Sequence, residues 1–596
     1  MDESKKMVAI TDLYPVRAQY RSGETATLAV ELANVSGEAA TARVRCVIRK
    51  LDAIVEVLER EVVVPANGTA ALRLEAGPFA VDYAGFGVDA ELLAGDGKRS
   101  GALAGMVPGR GSDVAVGASR ASTAFDVVSD WSRALRYGFL SDFDGAEAGD
   151  MEDVKWMAKL HLNLVQFYDW MYRHDDLVSD EETYTDLMGR SVSRSVVEEK
   201  ISLCHEHGMK AMAYGAVYAA SKPVAERHPD WRLYTGSGEP YDFIGIFNIM
   251  NISRDCPWHD HIVGEYRKAV EKLDFDGIHM DTYGFPKTGW SRLDGEPRRE
   301  RLTEQFPALI ESTREALAPI KDEICLVFNN VGNWPVDTVA RSSQDAIYVE
   351  VWKPYERYHH LREIIAWAQS LSGGKNVILA AYLKPFREVG PLGEDGAENG
   401  FRLLNAVVTA HGASHLLHGE NGGVLTQGYY VDHSKLRPGF LRTVRDYADF
   451  GVRYGHVLNA PGLRDVSMTH ADGDNLEYAF EGFAYSTYGE AGKTWTIVRE
   501  REGMSQIHFV NLASATDDRW NEAKERPAPV TGRIVRIEVD DAPSSILLAS
   551  PDANGGQAVA VDYRVETTDR GMVAVLELPP LLFWDMLIVR SGTFAD

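Results

Sequence analysis

The chain has 596 residues, of which 45% are hydrophobic and 25% charged. This composition is typical of a folded protein, and the length indicates two to four domains, because a single hydrophobic core stops growing at about 250 to 300 residues. Its 62 basic and 88 acidic side chains give a formal net charge of −26, which disfavours nucleic acid and membrane surfaces as partners and leaves neutral ligands unaffected.

Residues 1–125 contain short runs in which apolar and polar residues alternate, such as TATLAVELAN from Thr25 and TARVRCVIRK from Thr41. Gly, Asn and Pro separate these runs, so the pattern predicts an antiparallel β-sandwich. The first residues, MDESKKMVAITDLYP, lack the apolar stretch of a signal peptide. We expect a cytoplasmic protein if the sequence is complete, and a secreted one if a signal peptide has been removed.

Residues 126–452 alternate apolar strands with amphipathic helices, which indicates a parallel sheet covered by helices. Eight strands are predicted: RYGFLSDF, NLVQFYDW, KAMAYGAVY, DGIHMD, ICLVFNNV, AIYVEVW, NVILAAYL and SHLLHGE. Eight such units predict a (β/α)8 TIM barrel with enlarged loops. A doubly wound sheet is the alternative, but no G-x-G-x-x-G opens the first helix.

Residues 453–596 return to strands, including KTWTIVRERE, SQIHFVNL and GRIVRIEV. They predict a C-terminal antiparallel β-domain, so the fold class is a multidomain α/β plus all-β protein with a central barrel. The four cysteines lie far apart and form no C-x-x-C pair, so buried thiols are expected.

Acidic residues close three of the predicted barrel strands: Asp281 in FDGIHMDTYG, Glu350 in IYVEVWKP and Asp169 in QFYDW. Active sites of such barrels lie at the carboxyl ends of the strands. Two carboxylates that face each other there suit glycoside hydrolysis, in which one is ionised and the other protonated. The alternative is that these acids cap helices or form ion pairs.

Aromatic residues also gather at strand ends, where flat rings can stack on the C–H faces of a sugar. They are Trp170, Trp290, Trp334 and Trp352, with Tyr168, Tyr214, Tyr283 and Tyr429 nearby. His174 and His279 are candidates for hydrogen bonds to sugar hydroxyls, or for a structural role. The adjacent histidines at 259–261 and 359–360 lie in predicted helices without a third ligand, so no metal and no cofactor are expected.

Six strings, in order along the barrel, resemble glycoside hydrolase family 66, the dextranases and cycloisomaltooligosaccharide glucanotransferases. They are RYGFLSDF, NLVQFYDWMYRH, MAYGAVYAA, FDGIHMDTYG, YVEVW and LTQGYYVDH. The resemblance implies that the N-terminal sandwich is immunoglobulin-like. It also implies that Asp281 is the nucleophile, Glu350 the acid/base and Asp169 a substrate-holding acid. Further cleft residues implied by the resemblance are Tyr168, His174, Tyr214, His279, Asn329 and Trp352.

The activity that the resemblance implies is endo-acting hydrolysis of α-1,6-glucosidic linkages in dextran by a retaining mechanism, with isomaltooligosaccharides as products. We expect a monomer without a cofactor. The glucanotransferases carry a carbohydrate-binding module late in the barrel, whereas only about twenty residues separate AAYLKP from FRLLNAVV here, which favours a hydrolase with linear products. The alternatives are a glucanotransferase, an exo-acting α-glucosidase or α-galactosidase, and a non-catalytic glucan-binding protein.

Overall fold

The computed structural model describes residues 8–93, 119–471 and 473–592. The first seven residues, which belong to the segment examined for a signal peptide, and parts of the predicted domains 1–125 and 453–596 lie outside these ranges. None of the helices in these ranges combines the length and the apolar character that a membrane-spanning helix needs. All four cysteines, Cys46, Cys204, Cys256 and Cys325, are buried and free, which confirms that prediction.

The N-terminal region is a sandwich of two sheets. One sheet has three antiparallel strands, Val8–Pro15, Ala26–Asn34 and Thr69–Ala76. The other has five strands, in the order Tyr20–Arg21, Arg120–Val128, Tyr83–Leu93, Ala40–Lys50 and Ala53–Val64. Alternate side chains of each strand point inward and form a separate core between the sheets. The strand Arg120–Val128 continues past residue 125, and the domain boundaries stay predictions.

The barrel has eight parallel strands, which we number β1 to β8. They are Tyr137–Leu140, Leu164–Phe167, Lys210–Ala216, Gly277–Asp281, Cys325–Val331, Ala346–Glu350, Asn376–Ala380 and Ser414–His415. The helices that follow them are Glu152–Lys159, Arg194–Glu206, Pro257–Leu273, Leu302–Leu317, Val336–Val339, Tyr358–Ser372, Gly393–Ala410 and Pro438–Arg453. The predicted (β/α)8 architecture is therefore confirmed, although β8 is shorter than its apolar run suggested.

Burial on both faces explains why the barrel strands are continuous apolar runs rather than alternating ones. At Gly277 an added Cβ would fall 1.8 Å from the carbonyl oxygen of Cys325, so β4 requires glycine there. Within the described residues, β1 pairs with the chain after β8 at a single bridge between Phe139 and Gly419. The Glu420 carboxylate closes this seam by accepting hydrogen bonds from the Ser141 amide (3.2 Å) and hydroxyl (2.6 Å).

The C-terminal region pairs two further sheets around a third core. The larger sheet contains Arg464–Asp465, Tyr485–Ser486, Thr494–Arg501, Met504–Asn511, Ser545–Ala549, Val559–Ala560 and Trp584–Arg590. The smaller has the order Tyr478–Glu481, Arg533–Val539, Gly571–Leu578 and Tyr563–Thr568. Between the strands ending at Asn511 and beginning at Arg533, the chain leaves both sheets and runs along the barrel.

Candidate active site

A cavity of about 530 Å³ lies at the carboxyl ends of the barrel strands. All nine residues that the sequence analysis placed in the site line it: Tyr168, Asp169, His174, Tyr214, His279, Asp281, Asn329, Glu350 and Trp352. The tyrosines at 283 and 429 line it as well. The structure thus brings together side chains from strands β2 to β6, from the loops that follow these strands and, with Tyr429, from the loop after β8. Their roles stay predictions.

Asp281 is the last residue of β4, and its side chain is held by two donors. The Tyr214 hydroxyl donates to Oδ2 at 2.7 Å, and the Asn329 side-chain amide donates to Oδ1 at 2.7 Å. Both donors come from the strands on either side of β4. Tyr214 lies in β3, where it is paired with His279 of β4, and Asn329 lies in β5. The carboxylate therefore has a defined orientation at the floor of the cavity.

Glu350 is the last residue of β6, and the same nitrogen of Asn329 donates to its Oε2 at 3.2 Å. Because that nitrogen lies 2.7 Å from Asp281 Oδ1, the two carboxylate oxygens can be no more than 5.9 Å apart. The Tyr382 hydroxyl donates to Glu350 Oε1 at 2.7 Å and lies 3.2 Å from the Tyr430 hydroxyl. At this separation, one carboxylate can attack a carbon atom while the other carboxyl group protonates the oxygen bonded to that carbon.

Electrostatics keep this pair from being fully ionised at neutral pH. Burial, followed by the charge of Glu350, raises the pKa of Asp281 to about 7. Burial also raises the pKa of Glu350, although its hydrogen bonds from Tyr382 and Asn329 oppose the shift. When two neighbouring carboxylates hold one proton between them, one is ionised and the other is protonated, as a nucleophile and a general acid must be.

Asp169 lies across the cavity, in the loop after β2. Its backbone has a φ of +50°, a left-handed conformation that costs free energy in a non-glycine residue. Arg190 stabilises it: Nη2 donates to the backbone oxygen at 2.7 Å and lies 3.8 Å from Oδ2. Burial raises the pKa of Asp169 to about 7 despite this guanidinium.

Several buried polar atoms on the cavity wall have no hydrogen-bond partner among the described residues. They are Gln166 Oε1, His174 Nδ1 and Asn329 Oδ1. Burial lowers the pKa of His174 to about 3, so its ring is neutral and can exchange hydrogen bonds with a neutral ligand. His279 is equally buried and lies 3.0 Å from the Tyr137 hydroxyl. The wall is therefore suited to a ligand rich in hydroxyl groups.

Aromatic side chains cover the remaining walls. Tyr168 stacks on Tyr430 at 4.5 Å, and Phe243 stacks on Tyr283 at 4.0 Å between ring centroids. Among the four tryptophans predicted at strand ends, only Trp352 lines the cavity. Trp170 is fully buried, so it cannot stack on a ligand. Trp290, which is 39% exposed, and Trp334 do not line this cavity, and stacking of sugars on them stays a prediction.

Several lining residues were not predicted from the sequence, among them Tyr382, Tyr430 and Phe243. Tyr382 follows β7 directly, so its position in NVILAAYL was a usable signal. Arg190, which contacts Asp169, lies in a short hairpin loop between Thr183–Thr185 and Ser191–Ser193, where no pattern marks it.

Within the described residues, one group of three carboxylates is close enough to hold a metal ion: Glu147, Asp150 and Asp153. It lies outside the cavity. The Lys200 ammonium already occupies this group, at 3.0 Å from Asp153 and 3.3 Å from Glu147. A lysine in that position supplies the positive charge that a cation would bring.

Comparisons with known proteins agree with this architecture. The model of glycosyl hydrolase family 66 matches residues 16–588. The chain is 23% identical to a cycloisomaltooligosaccharide glucanotransferase of Niallia circulans, over 79% of this chain and 62% of the relative. It is 21% identical to a dextranase of Streptococcus salivarius, over 79% of this chain and 65% of the relative. The chain thus spans slightly less than two thirds of the length of these relatives.

Among solved structures, a cycloisomaltooligosaccharide glucanotransferase of Paenibacillus sp., complexed with cycloisomaltoheptaose, is similar with a TM-score of 0.85 at 20% identity. The match covers 97% of this chain and 99% of that one. At this identity the likeness shows a common fold for the two chains, including the barrel and its flanking β-regions.

Proposed function

This chain belongs to glycosyl hydrolase family 66, and on that premise we propose that it hydrolyses internal α-1,6-glucosidic linkages of dextran with retention of configuration. The main support for the proposal is that one nitrogen of Asn329 donates to both carboxylates, which places an oxygen of Asp281 within 5.9 Å of an oxygen of Glu350. Retaining glycosidases hold their carboxyl groups about 5 to 5.5 Å apart, and inverting ones about 6.5 to 9.5 Å apart.

In the first step, Glu350 transfers its proton to the glycosidic oxygen as the bond from that oxygen to the anomeric carbon breaks. An Asp281 oxygen attacks the same carbon from the opposite face and forms a covalent glucosyl ester. In the second step, the Glu350 carboxylate removes a proton from water, the water oxygen bonds to the anomeric carbon, and Asp281 leaves. Two inversions restore the α configuration.

The other cavity residues would bind the sugar that is being cleaved. Asp169, His174 and His279 offer polar atoms toward the hydroxyl groups, and Tyr168 offers a ring face. Interactions with hydroxyls that strengthen in the transition state contribute several kcal/mol in glycosidases, on the order of 3 to 5. The mechanism requires no cofactor.

A glucanotransferase is the second candidate, because the curated relative from Niallia circulans carries that name. The chain passes from β7 to the next helix through residues 381–392 alone, so no separate module stands between them. This observation favours linear rather than cyclic products.

The deciding experiment is incubation with dextran, with chromatography of products over time and NMR of the first anomer released. Mixed linear isomaltooligosaccharides with an initial α anomer are expected. An initial β anomer would overturn the retaining mechanism, glucose alone would indicate an exo-acting enzyme, and cyclic products would indicate a glucanotransferase. Binding of dextran without cleavage would indicate a glucan-binding protein.

A further inference from the structure

A second groove, of about 300 Å³, lies beside the catalytic cavity. It is lined by residues of the segments 351–356, 382–384, 426–427 and 519–522, and we call it the side groove. Trp352 and Tyr382 line both spaces. The side groove therefore adjoins the cavity at these two rings.

One wall of the side groove comes from the C-terminal region, from the segment that leaves the sheets between Asn511 and Arg533. Trp520 is buried against the barrel and donates from Nε1 to the backbone oxygen of Tyr355 at 2.7 Å. The Asn521 side chain accepts from the Lys384 amide at 2.9 Å, and Glu522 pairs with the Lys384 ammonium at 3.0 Å. These contacts hold the wall rigidly against the loops after β6 and β7.

The side groove lies on the Glu350 side of the cavity. Tyr382, which lines it, donates to Glu350 Oε1, and Gly428, next in sequence to its lining residue Gln427, would bring an added Cβ to 3.1 Å from that same oxygen. Asp169 and His174 line the cavity but not the side groove. Because a general acid stands beside the leaving-group oxygen, the groove faces the part of the substrate that departs.

The chemistry of the side groove suits a neutral sugar. Trp352 is 44% exposed and offers a flat face between the two spaces. Thr426 is 6% exposed, and its hydroxyl has no hydrogen-bond partner in the described part of the chain. Charged side chains of both signs line the groove: Lys353, Glu356, Lys384, Arg519 and Glu522. Their signs nearly balance, so the groove has no strong preference for an ionic ligand.

We propose that the side groove binds the glucose units on the leaving-group side of the cleaved linkage, and that the C-terminal region thereby sets the preference for long chains. This inference rests on the proposed function. The Thr426 hydroxyl and the Arg519 guanidinium would donate to sugar hydroxyls, while Trp352 stacks on the ring at the entrance.

The test compares two substrates in the double variant Thr426→Val/Arg519→Ala. Dextran extends into the side groove, whereas a nitrophenyl isomaltoside carries a leaving group without further glucose units. The ratio of kcat/KM for dextran to kcat/KM for the nitrophenyl isomaltoside should fall at least about fivefold, as expected for two lost hydrogen bonds. The matched control is Arg526→Ala, an exposed arginine of the same segment that does not line the groove.

A ratio equal to that of the control variant would overturn the inference. If the unaltered protein cleaved neither substrate, the proposed function would fail, and calorimetric titration with isomaltooligosaccharides of increasing length would then test the groove alone. The inference predicts that affinity rises with length in the unaltered protein and that the double variant loses this rise. Equal affinities in the two proteins would overturn it.

Discussion

The carboxylates of Asp281 and Glu350 share one hydrogen-bond donor, Nδ2 of Asn329. This amide fixes the distance between the groups and favours their ionised forms, against the effect of burial. Asn329 therefore acts as a positioning residue for the two carboxylates.

Replacing Asn329 with Leu, which has a similar volume, should lower kcat/KM on dextran by about 10- to 100-fold, because hydrogen bonds to charged groups are lost on both carboxylates. The pH optimum should move upward, since the pKa of both groups rises. The measurement is kcat/KM across pH, with thermal unfolding as the control for folding. A folded variant with unchanged activity and an unchanged pH optimum would contradict the role.

The roles of the two carboxylates can be separated by adding azide to Asp281→Ala and Glu350→Ala. Each substitution should reduce turnover of dextran by at least about 100-fold. With a nitrophenyl isomaltoside, azide should rescue Glu350→Ala to give an α-glycosyl azide, because it attacks the covalent intermediate from the side vacated by the acid/base. In Asp281→Ala it should attack from the nucleophile's side and give the β product. NMR of the products distinguishes the two, and the opposite pattern would reverse the assignment.

Activity should depend on pH through the pair, with a bell-shaped profile of kcat/KM. Glu350 must carry a proton, and burial raises its pKa, so activity should persist above the ordinary glutamate pKa of about 4.3 and fall as pH rises through the raised value. Tyr382 donates to the ionised form and lowers that pKa. Tyr382→Phe should therefore move the alkaline limb to higher pH.

The control for this shift is Tyr429→Phe, which removes a hydroxyl from the cavity wall without altering a hydrogen bond to Glu350. Its alkaline limb should stay where it is. An alkaline limb that moved equally in both variants would show that the Tyr382 hydroxyl has no specific effect on Glu350.

Stability should depend on Asp12, which joins the N-terminal sandwich to the barrel. Its carboxylate lies 2.6 Å from Lys159 and 2.6 Å from Arg445. Burial by itself would raise the pKa of Asp12, but Arg445 and Lys159 outweigh this effect and lower it. Asp12→Asn leaves two partly buried cations unpaired and should reduce the free energy of unfolding by about 2 to 3 kcal/mol.

Denaturant unfolding at neutral pH measures this change, with Asp180→Asn as the control because Asp180 is 97% exposed. A lowered aspartate pKa stabilises the fold above the unfolded value of about 3.9, and the contribution is lost as pH falls through the folded value. The difference between the unaltered protein and Asp12→Asn should therefore shrink below about pH 4. A difference in the free energy of unfolding that stayed constant with pH would contradict the stabilising role of these ion pairs.

The pattern of an apolar strand that ends in an acidic residue was sufficient to predict that the two proposed catalytic carboxylates lie at the mouth of the barrel. Asp281 and Glu350 each end an apolar strand, and in a barrel the ends of all strands meet at one face. The same reasoning did not show that Trp290 and Trp334 lie outside this cavity, because a residue in a loop after a strand can turn toward the cavity or away from it. That direction depends on packing with other segments.

The order of strands and helices, the barrel and the acids at its mouth could be predicted from the sequence, because periodicity and strand ends are properties of neighbouring residues. Three contacts could be seen only in the folded chain: Asn329 bridges both carboxylates, Glu420 closes the seam at Ser141, and the segment around Trp520 forms a wall of the side groove. These contacts join residues far apart in the chain, and their geometry is set by how whole elements pack.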